Sequence, residues 1–361
     1  MTVEQLERIS KLYSKNIPVF GILDSRKLTK DLVLCRKCNY TKIHSKSQAL
    51  VTEEDKAKHK VQTRRKEVEC YVNEFLRVLR DRVKPELFDE IAKKVERVAV
   101  KYGQGEFTSA ELAQWNKFSK TVKGISDPIN WTTLINENTD KHTIYHELMH
   151  QITTTVEKQG YGKKIYCGFE YQDVKFGATE PTIVGRALNE GMTELMVQDY
   201  FGTEHTYAFE KNICRILGLI VGEENLKEFY LTNDMEGLSK SCLHHLKSED
   251  PQMFMNFVRA VDFIYNNQKA STLLKSNKRY VLDETCKEIG VFLSRMFINS
   301  LLEETKKLRD EGYTQESIYT MQQQRISKFT KMMQTKHAGL SLDISGTIHL
   351  LNQDKNVLLS R

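Results

Sequence analysis

Residues 146–150 read His-Glu-Leu-Met-His and lie within the segment from Asp140 to Glu157. In a helix, positions i and i+4 lie on one face, so His146 and His150 can direct both imidazoles toward one metal ion. Glu147 projects about 100° away around the helix axis, toward the place of a metal-bound water. The pattern therefore predicts two metal ligands and a general base on one helix.

The residues around this motif predict a helix that packs against the protein core. Side chains that cap helix N-termini precede it, namely Asn138, Thr139 and Asp140. An apolar stripe at positions i, i+4 and i+8 follows, at Ile144, Leu148 and Ile152. A surface helix with solvated histidines is the alternative interpretation. The apolar stripe favours burial, and buried histidines need partners.

A second amphipathic helix is predicted over residues 186–200. Its apolar face is formed by Leu188, Met192, Leu195 and Met196. Glu190 and Glu194 stand at i and i+4 on another face. One of them can be a third metal ligand while the other accepts the free N–H of a ligating histidine. Three protein ligands and a water are typical of a catalytic zinc site, whereas the glutamates alone would suit a solvated helix face.

Together the two motifs resemble those of the gluzincin branch of zinc metallopeptidases, which includes thermolysin-like enzymes and zinc aminopeptidases. The resemblance covers about residues 139–200 and includes the sequence Asn-Glu-Gly at 189–191. It implies three ligands for Zn²⁺, namely His146, His150 and Glu190. It further implies that Glu147 is the general base of peptide-bond hydrolysis. Glu194 matches the residue that supports a ligating histidine, where thermolysin-like members usually have Asp.

The pattern of helix and strand signals predicts an α+β fold that is predominantly helical. Capping signals and apolar periodicity predict helices at 67–83, 85–101, 251–266, 283–309 and 314–336. The strand candidate before the metal helix is 129–134, and 163–172 has the glycines and aromatic residues of a hairpin or loop. In gluzincins, a strand at a position similar to 129–134 forms the sheet edge that binds an extended substrate.

We expect a zincin-like catalytic core in which a small mixed or antiparallel sheet packs on the two metal-binding helices. The chain of 361 residues has room for more than this core. The predicted organisation is a basic, mostly helical N-terminal region (1–104), the zincin-like core (105–235) and a helical C-terminal region (236–361).

Positive charge is concentrated near the N-terminus. The stretch 26–66 contains 13 Lys and Arg against 4 Asp and Glu, hence +9, although the whole chain carries only +6. This segment supports an alternative function, a non-catalytic protein on a metallopeptidase scaffold that binds an acidic macromolecule. Few aromatic residues and no recognisable motif argue against nucleic acid. Cys35 and Cys38 form half of a zinc ribbon without a second pair, which favours two reduced thiols.

The composition predicts a cytoplasmic enzyme. No stretch approaches the 18 apolar residues of a membrane span, and residues 1–16 lack the apolar centre of a secretory signal. Seven cysteines, an odd number, suit a reducing compartment. The predicted partner is a peptide or protein substrate. A secreted or translocated effector protease with a single protein substrate is a further alternative, and the sequence does not address the oligomeric state.

Peptide hydrolysis by this chemistry also needs a donor that stabilises the oxyanion of the tetrahedral intermediate. Tyr171 is the first candidate, because it lies between the two metal helices in the chain. His244 and His245 are the next candidates, since they follow the third ligand in a helical region where thermolysin-like enzymes have such donors.

Overall fold

The computed structural model describes most of the chain between residues 53 and 335, together with residue 342. The described ranges in that interval are 53–118, 123–127, 129–136, 139–160, 162–175, 181–203, 207–267 and 276–335. Several predictions fall outside them, namely those on Asn138 as a capping residue, on the Cys35 and Cys38 pair, and on residues 26–52 of the basic segment.

Eleven α-helices occur in the described part of the chain. They are α1 (Glu53–Arg80), α2 (Pro85–Val95), α3 (Ser109–Phe118), α4 (Lys141–Ile152), α5 (Arg186–Phe201), α6 (Ala208–Val221), α7 (Glu223–Leu231), α8 (Met235–Leu246), α9 (Pro251–Asn267), α10 (Ser276–Asp310) and α11 (Gln315–Gln334). The last three confirm the predicted C-terminal helices. Helix α10 begins at Ser276, seven residues before the predicted start at Asp283.

The strands form two small sheets. A three-stranded mixed sheet contains β1 (Ala99–Tyr102), β2 (Gly124–Asp127) and β3 (Thr132–Ile135) in the order β1-β3-β2. A four-stranded antiparallel sheet contains β4 (Thr154–Gln159), β5 (Gly162–Cys167), β6 (Glu170–Lys175) and β7 (Thr182–Val184) in sequence order. The protein is therefore α+β and mostly helical, as predicted, and β5 with β6 confirms the hairpin expected near 163–172.

Two predictions about the first sheet were wrong. The helix predicted for 85–101 ends at Val95, and the chain continues as β1, in which Ala99 pairs with Thr132. Pairing with a neighbouring strand outweighs the local helix preference there. The strand predicted at 129–134 is β3, but it is the central strand of its sheet and has no free edge. The strands at the edges of this sheet are β1 and β2.

Helix α4 begins and packs for the reasons that its sequence suggests. The Asp140 carboxylate accepts a hydrogen bond of 3.0 Å from the Thr143 N–H, which satisfies one of the free donors of the first turn. The predicted apolar stripe is buried, with exposed fractions of 0–1%, at Ile144, Leu148 and Ile152. Beside this stripe, the Tyr145 ring stacks on Phe201 of α5 at 4.2 Å between ring centroids. The helix is thus enclosed on two sides by core residues.

Helix α5 is held at its N-terminus by a carboxylate from a distant part of the chain. Asp262 of α9 accepts hydrogen bonds from the Gly185 and Ala187 N–H groups at 2.7 and 2.8 Å. Gly185 has φ of 83°, and a Cβ there would lie 2.1 Å from the Phe169 carbonyl oxygen, so only glycine fits. Helix α9 therefore fixes where α5 begins.

A second glycine sets the distance between α5 and α6. A Cβ at Gly191 would lie 2.4 Å from the backbone carbonyl carbon of Glu210, which is closer than atoms can approach. Glycine lets the first turn of α6 lie directly against α5. Within the described residues, no helix combines the length and apolar character needed to cross a bilayer.

Candidate metal centre

Helix α4 carries three histidines on one face, one turn apart, at His142, His146 and His150. All three are buried, with exposed fractions of 6–8%. The last two belong to the predicted motif; His142 was not predicted, although its position four residues before His146 placed it on the same stripe. The packing of α5 against α4 brings the two predicted glutamates of α5 to this face.

The three predicted ligands come together in the structure. The His146 Nε2 atom lies 3.1 Å from the His150 Nε2 atom, and the Glu190 Oε2 atom lies 3.1 and 3.5 Å from them. A tetrahedral zinc site with bonds of about 2.0–2.1 Å has ligand atoms separated by about 3.3 Å. The triangle formed by these three atoms therefore matches one face of such a site, and the three groups could hold a metal ion.

The electrostatic environment of these three groups already resembles that of a cation site. Burial alone would raise the pKa of Glu190, but the charges of His150 and His146 and their hydrogen bonds hold it well below its usual range. Burial would lower the pKa of His146, but hydrogen bonds to Glu190 and Glu194 raise it to about 9. Without a metal, protons on His146 and His150 balance the negative charge of the Glu190 carboxylate. A divalent cation can replace that positive charge.

Glu194 lies on the other side of the His146 ring from Glu190. Its side chain has no exposed surface, and its Oε2 atom is 3.6 Å from His146 Nδ1 and 3.0 Å from His142 Nε2. The Oγ1 atom of Thr203 lies 2.9 Å from the remaining ring nitrogen of His142. The two glutamates therefore differ in position, because Glu190 faces the Nε2 atoms of the histidine pair and Glu194 faces Nδ1 of His146.

The free ring nitrogen of His150 has polar neighbours of its own. Its Nδ1 atom lies 3.2 Å from Asn189 Nδ2 and 3.7 Å from the Cys167 thiol. When Nε2 binds a metal, Nδ1 carries a proton and needs an acceptor. The Oδ1 atom of Asn189 is buried without a hydrogen-bond partner, and a half-turn of this amide brings Oδ1 to the place of Nδ2. This oxygen can then accept the Nδ1 proton of His150, so its position is consistent with a metal on His150 Nε2.

The predicted general base, Glu147, is partly exposed, unlike the histidines that flank it. Burial of its carboxyl raises its pKa, and the nearby His146 and His150 oppose that rise. The backbone N–H of Ser126 on β2 donates a hydrogen bond to it. A carboxylate with a raised pKa beside the three ligand atoms is suited to accept a proton near neutral pH.

The edge strand β2 passes directly over Glu147. A Cβ at Gly124 would lie 2.8 Å from Glu147 Cγ and 2.9 Å from Thr143 Cγ2. The absence of a side chain at Gly124 therefore provides the space that Glu147 occupies. This contact could not be predicted from the sequence, because nothing in the spacing of these residues indicates that the strand and the helix meet there.

None of the predicted oxyanion donors has a described contact with the three ligand side chains. The Tyr171 ring on β6 lies 5.5 Å from that of Tyr166. His244 and His245 of α8 both lie near the Glu303 carboxylate of α10, at 3.3 and 3.1 Å. They form a separate polar group with that carboxylate.

The tyrosine that does contact the site is Tyr207, which the sequence analysis missed. Its ring stacks on that of His146, with 5.7 Å between centroids and 19° between planes, and its hydroxyl is hydrogen-bonded to Tyr265 of α9. The negative charge of Glu190, followed by burial, raises the pKa of Tyr207 strongly, so its hydroxyl stays protonated. Tyr207 has φ of 56° just before α6, and no sequence pattern marked it.

We predict that Gly124→Ala lowers the free energy of unfolding by about 1–3 kcal/mol, because its methyl group would overlap Glu147 and Thr143. The matched control is Gly105→Ala, where a Cβ meets nothing within 4 Å, and we expect a change below about 1 kcal/mol. Urea unfolding measures both values. The double variant Gly124→Ala with Glu147→Ala should recover part of the loss, and no recovery would contradict this contact as its cause.

Comparisons with known proteins give no relative of this chain. No protein-family model, no curated protein and no solved structure matches it. The resemblance to gluzincins stays a prediction that rests on the motifs and on the placement of their residues.

Proposed function

We propose that this protein is a zinc-dependent metallopeptidase with a zincin-like core made of α4, α5 and the neighbouring small sheets. The observation that carries the proposal is the triangle of His146 Nε2, His150 Nε2 and Glu190 Oε2, with separations of 3.1–3.5 Å. Two histidines and one carboxylate leave one tetrahedral position open, which distinguishes catalytic from structural zinc sites.

The side chains around the triangle suit the hydrolysis of a peptide bond. When bound, Zn²⁺ would supply Lewis acidity and lower the pKa of water toward neutrality. Glu147, held by the Ser126 N–H, accepts the proton of the attacking water and delivers it to the leaving amine. Glu147 and Glu190 are both partly exposed, so a substrate can reach the ligand triangle from solvent.

In the same proposal, Tyr207 is the donor to the oxyanion. Its ring lies against His146, and its hydroxyl is kept protonated by the charge of Glu190 and by burial. A protonated hydroxyl can donate to an oxygen that becomes negative in the transition state. The hydrogen bond to Tyr265 holds the Tyr207 side chain in place.

The proposed substrate is a peptide or a protein, and the proposed location is the cytoplasm. The five described cysteines all have free thiols, which suits a reducing compartment: Cys70, Cys167, Cys214, Cys242 and Cys286. The activity is best sought with a peptide library, in the presence and absence of 1,10-phenanthroline. Cleavage that the chelator stops and added Zn²⁺ restores would support the proposal.

We predict that Glu147→Gln retains zinc but lowers the rate of peptide cleavage at least about 100-fold, because a general base contributes 10² to 10⁴ to the rate. Metal analysis and steady-state kinetics measure the two effects. Glu157→Gln, the same change at an exposed position on β4, serves as the control and should behave as the wild type. Full activity of Glu147→Gln would rule out the proposed mechanism.

Removal of the third ligand should abolish zinc binding. We expect Glu190→Ala to contain almost no zinc after dialysis, because only two histidine ligands remain. The control is Glu303→Ala, which removes a carboxylate from the separate group with His244 and His245. This control should keep one zinc per chain. Retention of zinc in Glu190→Ala together with its loss in Glu303→Ala would relocate the metal site to α8 and α10.

The role of Tyr207 can be separated from that of Tyr171. We expect Tyr207→Phe to lower kcat and kcat/KM together, on the order of 100-fold, with zinc retained, because the hydroxyl acts chiefly in the transition state. The same substitution at Tyr171, which packs against Tyr166, should leave both constants nearly unchanged. Equal kinetics for Tyr207→Phe and the wild type would exclude Tyr207 as the donor.

A further inference from the structure

His142 and Glu194 form a buried group with the proposed ligand His146 and have no role of their own in the chemistry described above. This group is more deeply buried than the ligand triangle, because Glu194 is 0% exposed and His142 only 6%. A single carboxylate oxygen, Oε2 of Glu194, lies 3.0 Å from His142 Nε2 and 3.6 Å from His146 Nδ1. One oxygen atom therefore contacts imidazoles from two successive turns of α4.

We propose that His142 is a positioning residue that holds the Glu194 carboxylate against His146, so that His146 directs Nε2 toward the metal. This inference rests on the proposed zinc site. His142 itself lies one turn before the ligand pair, and its Nε2 atom faces Glu194 rather than the ligand triangle.

A role for His142 follows from the burial of Glu194. A carboxylate without exposed surface requires hydrogen-bond donors or positive charge, since an unpaired buried charge is strongly destabilising. The His146 Nδ1 atom lies 3.6 Å away, beyond the usual length of a hydrogen bond. His142 at 3.0 Å is within hydrogen-bond distance. The stronger contact fixes the oxygen, and the fixed oxygen then sets the orientation of the His146 ring.

The orientation of His142 is fixed in turn by the segment after α5. The hydroxyl of Thr203 lies 2.9 Å from His142 Nδ1. When this hydroxyl donates to Nδ1, the proton of His142 resides on Nε2, where it can be donated to Glu194. The chain of contacts thus runs from Thr203 through His142 and Glu194 to a ligating nitrogen, and every ring nitrogen in it has a partner.

A purely structural role for His142 makes a different prediction. In that case its removal would lower the stability of the metal-free protein without a specific effect on zinc affinity. Tyr145 provides the comparison, because it lies on another face of α4, is fully buried and donates a hydrogen bond of 2.7 Å to Glu74. Tyr145→Phe therefore removes one hydrogen bond from the same helix without touching the metal group.

The test is to measure the dissociation constant for Zn²⁺ by chelator competition in the full-length chain, at a temperature where every variant is folded by circular dichroism. We expect His142→Leu to weaken binding by about 10- to 100-fold, as the loss of residues that orient ligands does. His142→Gln, which keeps an N–H donor near the position of Nε2, should recover most of the affinity. Tyr145→Phe should bind zinc as tightly as the wild type.

A double variant shows whether His142 acts through Glu194. Glu194→Ala alone should weaken zinc binding by a similar factor, and His142→Leu with Glu194→Ala should be no weaker than Glu194→Ala. Wild-type zinc affinity in His142→Leu, or multiplicative losses in the double variant, would overturn the proposal. If His142→Leu does not fold, the milder Thr203→Val decides, because it must also weaken zinc binding.

The outcome for His142 is separate from that for the proposed function. If the wild type binds zinc but cleaves no peptide, the peptidase proposal fails and the affinities of the variants still test the role of His142. If the wild type binds no zinc, both proposals are overturned.

Discussion

The contact between the Glu190 carboxylate and the imidazoles of His146 and His150 is the constraint around which the protein is built. The two histidines are buried and the carboxylate is only slightly exposed, so a charge without a compensating partner would be costly here. The histidines lower the pKa of Glu190, and Glu190 in turn raises theirs. Positive charge between α4 and α5, either as protons or as a cation, therefore favours the packing of the two helices.

Several contacts outside the site fix the positions of these two helices. Asp140 begins α4, and Asp262 holds the first turn of α5 from a helix far along the chain. Gly191 lets α6 approach α5 and thereby brings Tyr207, just before α6, over His146. A residue that contacts the site is thus positioned by a glycine on another helix.

The two sides of the metal group differ in character. On the inner side Glu194, His142 and Asn189 are buried and surround the ring nitrogens that do not face the ligand triangle. On the outer side Glu147 is partly exposed and lies under β2. Under the proposed function, this asymmetry separates groups that orient the ligands from groups that can meet a substrate. It agrees with the open coordination position that the proposed function requires.

Features that depend on local geometry could be predicted from the residues alone. Helical spacing placed His146 with His150, and Glu190 with Glu194, on shared faces, and capping and apolar periodicity predicted the helices that carry them. Long-range packing, by contrast, fixed which glutamate faces Nε2 of the histidines, made β1 a strand, and brought His142 and Tyr207 to the site. Periodicity specifies which residues share a face, whereas the rotation and approach of elements distant in the chain depend on contacts that no local pattern encodes.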